Sequence, residues 1–282
     1  MQISRATTRN RTFVPPDRAS RANAEPIRQA GTPEWSAEDR RLLDDVLLDS
    51  SRRSFELMTS FSQTSEGNCA SFAVIKAAMQ AYGNDVIPMV QVTEDGYRLT
   101  LQDESQLQLT QAQLAQAARQ MKAKGVSSDE RSYAIFLYAA LAQRQAEQSG
   151  QDYSRALDDL GAGQYPPHIA GLLGLEGEVQ MLPVGQAPQR SGVVQFSSEH
   201  AVYSDNPDGT CVQDRYGSSI PCDGTDGNVY KDRPWATNQI LGAFAFRARG
   251  EDENMLGEAL RRFGNLFCTG EVAVNYLVDV LH

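Results

Sequence analysis

One cysteine, one histidine and one carboxylate stand in an order that covalent acyl transfer would use: Cys69, His200 and Asp214. Cys69 follows the polar run Gln63-Thr64-Ser65-Glu66-Gly67-Asn68 and precedes Ala73, Val74, Ala77 and Ala78, apolar positions at helical spacing. A thiol at that junction sits over a helix N-terminus, whose dipole and free N–H groups favour a thiolate. His200 lies in Glu199-His200-Ala201-Val202-Tyr203, and Asp214 follows fourteen residues later in Val212-Gln213-Asp214-Arg215-Tyr216-Gly217. The tetrad Asn206-Pro207-Asp208-Gly209 between them is a strong turn signal. If the two segments pair as a hairpin, both side chains can reach one face. The carboxylate would then accept from one imidazole nitrogen while the other faces the thiol. The backbone N–H of Cys69 supplies one donor for an oxyanion, and the side-chain amide of Gln63, six residues upstream, a second. The bland alternative for Cys69 is an inert core thiol. Asp205 competes with Asp214 for the orienting role but sits beside the turn. Of the three histidines, His168 follows a Pro-Pro pair and His282 ends the chain, and neither is assigned a role.

The elements that must position these groups are legible in outline. Residues 1–35 lack apolar periodicity and carry six arginines against three acidic residues, so a disordered leader or targeting segment is expected there. Order begins at Ser36-Ala37-Glu38-Asp39, an N-cap followed by acid in the first turn. A helix then carries Leu42, Leu43, Val46 and Leu47, and residues 54–61 either extend it or form a second short helix. The Cys69 helix runs to Tyr82, with Gly83 as its C-cap. Residues 86–92 and 97–101 read as strands around Glu94-Asp95-Gly96. Two long helices follow, one capped by Thr110 and stopped by Gly125, the other from Ser128-Asp129 to about residue 148. Their glutamine and alanine content predicts a solvated outer face. Strands are expected at 178–183, 192–197, 200–205 and 210–216, then a polar loop over 217–238, a closing strand at 243–248 and two C-terminal helices at 255–267 and 271–281. Helices, then an antiparallel sheet, then helices make an α+β pattern.

Bulk properties narrow the function. The 282 residues carry a net charge of −10 with a pI near 4.9, which argues against nucleic acid or an anionic membrane as the main partner. No apolar run approaches the ~20 residues of a membrane span, and no apolar signal-peptide core is visible. The four cysteines, Cys69, Cys211, Cys222 and Cys268, form no CxxC pair, so no metal site is expected. A Cys211–Cys222 disulfide is conceivable, but free thiols in an intracellular setting are the simpler expectation.

The stretch from Gln63 to Val74 resembles the papain-family active-site signature: Gln, three residues, Gly, one residue, Cys, an aromatic, two residues and two small residues. Ala70 stands where that family usually has Trp or Tyr. His200-Ala201-Val202 resembles the family's histidine strand, and Asp214-Arg215-Tyr216-Gly217 is similar to its Asn-Ser-Trp-Gly segment. The Asp in place of Asn is closer to papain-like cysteine peptidase and deamidase effectors of pathogenic bacteria. The resemblance implies a papain-like catalytic domain over residues 36–282, its helical part carrying the nucleophile against an antiparallel β-sheet. It implies a thiol peptidase without cofactor or metal, acting on a host protein. It also implies virulence-linked export without a cleaved signal peptide and work in the host cytoplasm, with a secretion chaperone on the N-terminal segment. The alternatives are a glutamine deamidase or transglutaminase-like enzyme, a non-catalytic papain-like binding module, and a cytoplasmic location.

Overall fold

The computed structural model describes residues 35–49, 51, 53–64, 67–126, 128–198, 200–206, 208–222 and 242–247. These belong to one compact unit spanning Pro33–His282. The expected leader, most of the expected 217–238 loop, both C-terminal helices, Trp235 and Cys268 lie outside the described residues.

The chain opens with α1 (Ala37–Leu48), started by a reciprocal capping box between Ser36 and Asp39. Helix α2 (Cys69–Tyr82) ends where Gly83, at φ 63°, turns the chain out of the helix. A 3-10 turn leads to β1 (Met89–Val92), β2 (Gly96–Thr100) and β3 (Gln106–Thr110), a three-stranded antiparallel sheet. Helices α3 (Gln111–Met121), α4 (Asp129–Ser149), α5 (Tyr153–Gly161) and α6 (Pro166–Leu172) follow. The second half forms β4 (Val179–Leu182), β5 (Val193–Phe196), β6 (Ala201–Asp205), β7 (Val212–Arg215), β8 (Ser218–Pro221) and β9 (Gly242–Phe246). They make one six-stranded sheet in the order β4-β9-β5-β6-β7-β8, with every ladder antiparallel. The α+β class expected from the sequence is thus observed.

Two helices set the core. Every residue from Tyr133 to Ala142 in α4 is fully buried, so this helix is the hub of the helical layer. Its expected solvated face is confined to the C-terminal turns, because alanines at 134, 139, 140 and 142 let neighbours close in around the rest. Helix α2 packs against α4 and α6 on one side and against β5, β6 and β9 on the other. Eleven of its fourteen residues are buried, among them Lys76.

Several expectations need correcting. Residues 54–61 form no helix. Phe55 and Leu57 are buried while Glu56 between them is exposed, a period of two. The Glu56 carboxylate also accepts from the backbone N–H groups of Met58 and Thr59, a local turn that competes with helix. The strand expected over 86–92 begins only at Met89, since Val86 closes the 3-10 turn. Strand β3 was not anticipated, although its burial alternates cleanly, with Leu107 and Leu109 inside and Gln106 and Gln108 outside. Residues 218–221, read as loop, form β8.

One buried ion pair ties the first helix to the hub: Arg131 Nη1 donates to Asp39 Oδ1 at 2.7 Å, both side chains 1% exposed. Breaking it from one side leaves a charge in the core, so Asp39→Ala is expected to cost about 3–5 kcal/mol in urea denaturation. The double change Asp39→Ala with Arg131→Met is expected to cost markedly less.

Candidate functional site

Three segments remote in sequence meet at one cleft. The loop before α2 brings Gln63, the helix itself brings Cys69, Phe72 and Ala73, the start of β6 brings His200 to Tyr203, and β7 with its turn brings Asp214 and Tyr216. All four residues singled out by sequence, Gln63, Cys69, His200 and Asp214, line this cleft. Its free volume is about 10 Å³, room for about one water. Asp205, the competing carboxylate, lies at the far end of β6 and is not among the lining residues; it accepts from the N–H of Asn206. Among the described residues, no group of three or more His, Cys, Asp or Glu side chains could hold a metal ion.

Cys69 is the first residue of α2, and its side chain is partly buried. The loop ahead of it is set by two close contacts. Asn68 is fully buried and donates through Nδ2 to the carbonyl of Met121 at 3.0 Å. Gly67 runs so close to the end of α5 that a Cβ there would stand 2.7 Å from the carbonyl oxygen of Gly161, which explains the glycine. The thiol acidity runs against the expectation. Burial pushes it above the ordinary cysteine range, and the backbone N–H groups of Ala201, Ala70 and Cys69 itself pull the other way without winning. A thiol in this setting holds its proton at neutral pH and needs a neighbouring base to lose it.

His200 stands one residue ahead of β6, held by its backbone N–H to Ser197 Oγ at 3.1 Å. Its ring meets that of Tyr216 at 6.0 Å between centroids. Tyr216 and Gly217 are the two turn residues joining β7 to β8, with φ of 52° and 88°. Positive φ at both positions is the type I′ geometry that matches strand twist. Alanine at 217 would meet Ser62 Oγ at 2.7 Å in addition to the backbone strain. The hairpin turn thus brings an aromatic ring beside His200.

Asp214 is held from two sides. Its Oδ1 accepts from the N–H of Gly217 at 2.8 Å, and its Oδ2 accepts from Lys76 Nζ at 2.6 Å. These two donors, neither of them His200, are its hydrogen-bond partners here, and each oxygen keeps a further lone pair. Lys76 is fully buried, with its ammonium 4.7 Å from the centroid of the Phe61 ring. Burial pushes Lys76 below the ordinary lysine range, and Asp214 opposes this. Tyr203 is opposite Asp214 by continuation of the β6–β7 register. Burial, with the Asp205 carboxylate adding to it, keeps its hydroxyl protonated.

Sequence reasoning missed Lys76 and the role of Tyr216. A lysine seven residues after Cys69 in a largely apolar helix was the available signal for the first. It also favoured free thiols at Cys211 and Cys222. These form a disulfide with Cα atoms 5.2 Å apart, across the β7–β8 hairpin. A tight hairpin turn makes 211 and 222 directly opposed residues, and Cys222 N–H donates to the Cys211 carbonyl. Beyond this cleft, a groove of about 970 Å³ lies between α6, β4 and the end of α4, lined by Tyr165, His168 and Met181 among others.

Comparison with protein-family models, with curated proteins and with solved structures finds no match to this chain.

Gly217→Ala is expected to lose about 1–2 kcal/mol in urea denaturation and to slow Cys69 alkylation several-fold. The raised acidity constant of Cys69 has a sign that can be checked. The folded thiol keeps its proton to higher pH than the unfolded chain does. Its contribution to stability is thus complete below the ordinary thiol range and is lost as pH rises through it. Urea midpoints at pH 7 and 9.5 should fall less in Cys69→Ala than in the parent protein.

Proposed function

We propose that this protein is a papain-like cysteine hydrolase acting on protein amide bonds, with Cys69 as nucleophile and His200 as general base. The observation that carries this reading is the shared cleft of Gln63, Cys69, His200 and Asp214, drawn from segments up to 151 residues apart. Burial leaves Cys69 as a thiol at neutral pH, so His200 takes its proton as the sulfur attacks the carbonyl carbon. The carbonyl oxygen, now an anion, is received by the N–H of Cys69 and the amide of Gln63. The carbon–nitrogen bond breaks, and the imidazolium returns its proton to the leaving amine. Water, deprotonated by His200, then cleaves the thioester and restores the thiol. Asp214 supports the imidazolium electrostatically from within the same cleft, and Tyr216 shields its ring.

The substrate is read as a protein and the enzyme as an exported effector, acting as a peptidase first and a glutamine deamidase second. No helix among the described residues is long and apolar enough to cross a membrane. The Cys211–Cys222 disulfide fits an oxidising setting better than a reducing one. In a reducing host cytoplasm the hairpin would carry free thiols instead.

Substoichiometric iodoacetamide at pH 7 is expected to label Cys69 at least tenfold faster than Cys268, with that preference lost in His200→Ala; peptide mass mapping reads both. Equal labelling of the two cysteines would mean a binding module rather than an enzyme. With a cleavable substrate, new N-termini without ammonia identify a peptidase, and ammonia without new N-termini a deamidase.

A further inference from the structure

Resting on the cysteine-hydrolase reading, we infer that Lys76 is a positioning residue of the reaction, fixing the Asp214 carboxylate and through it the Tyr216-Gly217 turn that packs on His200. The case begins with spacing. Residues 69 and 76 are two helical turns apart and share one face of α2. The helix that carries the nucleophile at its start therefore carries, on the same face, the cation for the carboxylate of the sheet.

The rest is geometry and charge. Lys76 Nζ meets Asp214 Oδ2 at 2.6 Å, with the two side chains 0% and 10% exposed. Asp214 Oδ1 is held by the N–H of Gly217, and the ring of Tyr216 beside it lies tilted against that of His200. The chain of contacts is thus ammonium, carboxylate, turn, imidazole, running from α2 through β7 and its turn to the start of β6. Lysines are almost never fully buried without a partner, and this one meets the Asp214 carboxylate on one side and the Phe61 ring on another. An apolar side chain would have filled the same space at lower desolvation cost. What methionine or leucine could not do is hold the Asp214 carboxylate at a set position beside the cleft.

The test is the rate of iodoacetamide alkylation of Cys69 at pH 7, measured on the full chain, with unfolding curves run in parallel. Lys76→Met is expected to slow alkylation at least tenfold. Lys76→Arg, which keeps the cation, is expected to restore most of the rate. A purely structural lysine would lower the unfolding midpoint in Lys76→Met without slowing alkylation of the folded protein, and that result would overturn the inference. Should Lys76→Met not fold, the double change Lys76→Met with Asp214→Asn removes both charges. It is expected to react at the rate of Asp214→Asn alone, because the lysine acts only through the carboxylate. Losses that multiply would overturn it just as well. His200→Ala run alongside keeps the two readings apart: if it too leaves Cys69 reactivity unchanged, the hydrolase itself is wrong, whereas a large loss there with none in Lys76→Met refutes the lysine alone.

Discussion

A charge inside the protein governs how the two halves of the fold meet. Lys76 projects from the middle of a largely apolar helix, and its ammonium finds Asp214 on the opposing sheet. Removing one partner from such a pair costs about 3–5 kcal/mol, because the other is left buried and uncompensated. The contact therefore sets where along the helix the sheet can dock far more sharply than the surrounding alanines do. Small apolar side chains tolerate sliding; an ion pair with both ends inside does not. Cys69 at the helix start and His200 at the strand start inherit their mutual placement from that one contact.

The local backbone then supplies what rigid docking leaves open. Asn68 and Gly67 bind the loop ahead of Cys69 to the ends of two other helices. The Tyr216-Gly217 turn places an aromatic ring against His200 and an N–H against Asp214 in a single stroke. Burial works against the thiolate at Cys69 more strongly than the helix N-terminus works for it. The site thus favours a thiol over a standing thiolate.

Much of this was written in the sequence, in uneven strength. The caps at Ser36, Thr110 and Ser128 announced three helices because each has the side-chain oxygen that the first turn requires. The order of cysteine, histidine and carboxylate, with only three histidines to choose from, led to the cleft. The misreadings share a cause: they turned on which face an element would bury. The expected solvent side of α4 is core, and Lys76 passed as an ordinary lysine in a helix. The disulfide was legible after all, once the turn is placed, since Cys211 lies five residues before Tyr216 and Cys222 five after Gly217. Reading that symmetry required knowing that 218–221 is a strand, and its polar residues hid the fact.

The same symmetry makes the hairpin a self-contained cassette. Between Cys211 and Cys222 lie the carboxylate, the ring that meets the histidine and the glycine that permits the turn, closed by a covalent bond at the base and a two-residue turn at the tip. Its length cannot change by even one residue without moving all three groups at once, so natural variation should fall outside it. Inside, the sequence can drift only by exchange, and the piece could be lifted as a whole onto another sheet edge that offers it a buried cation.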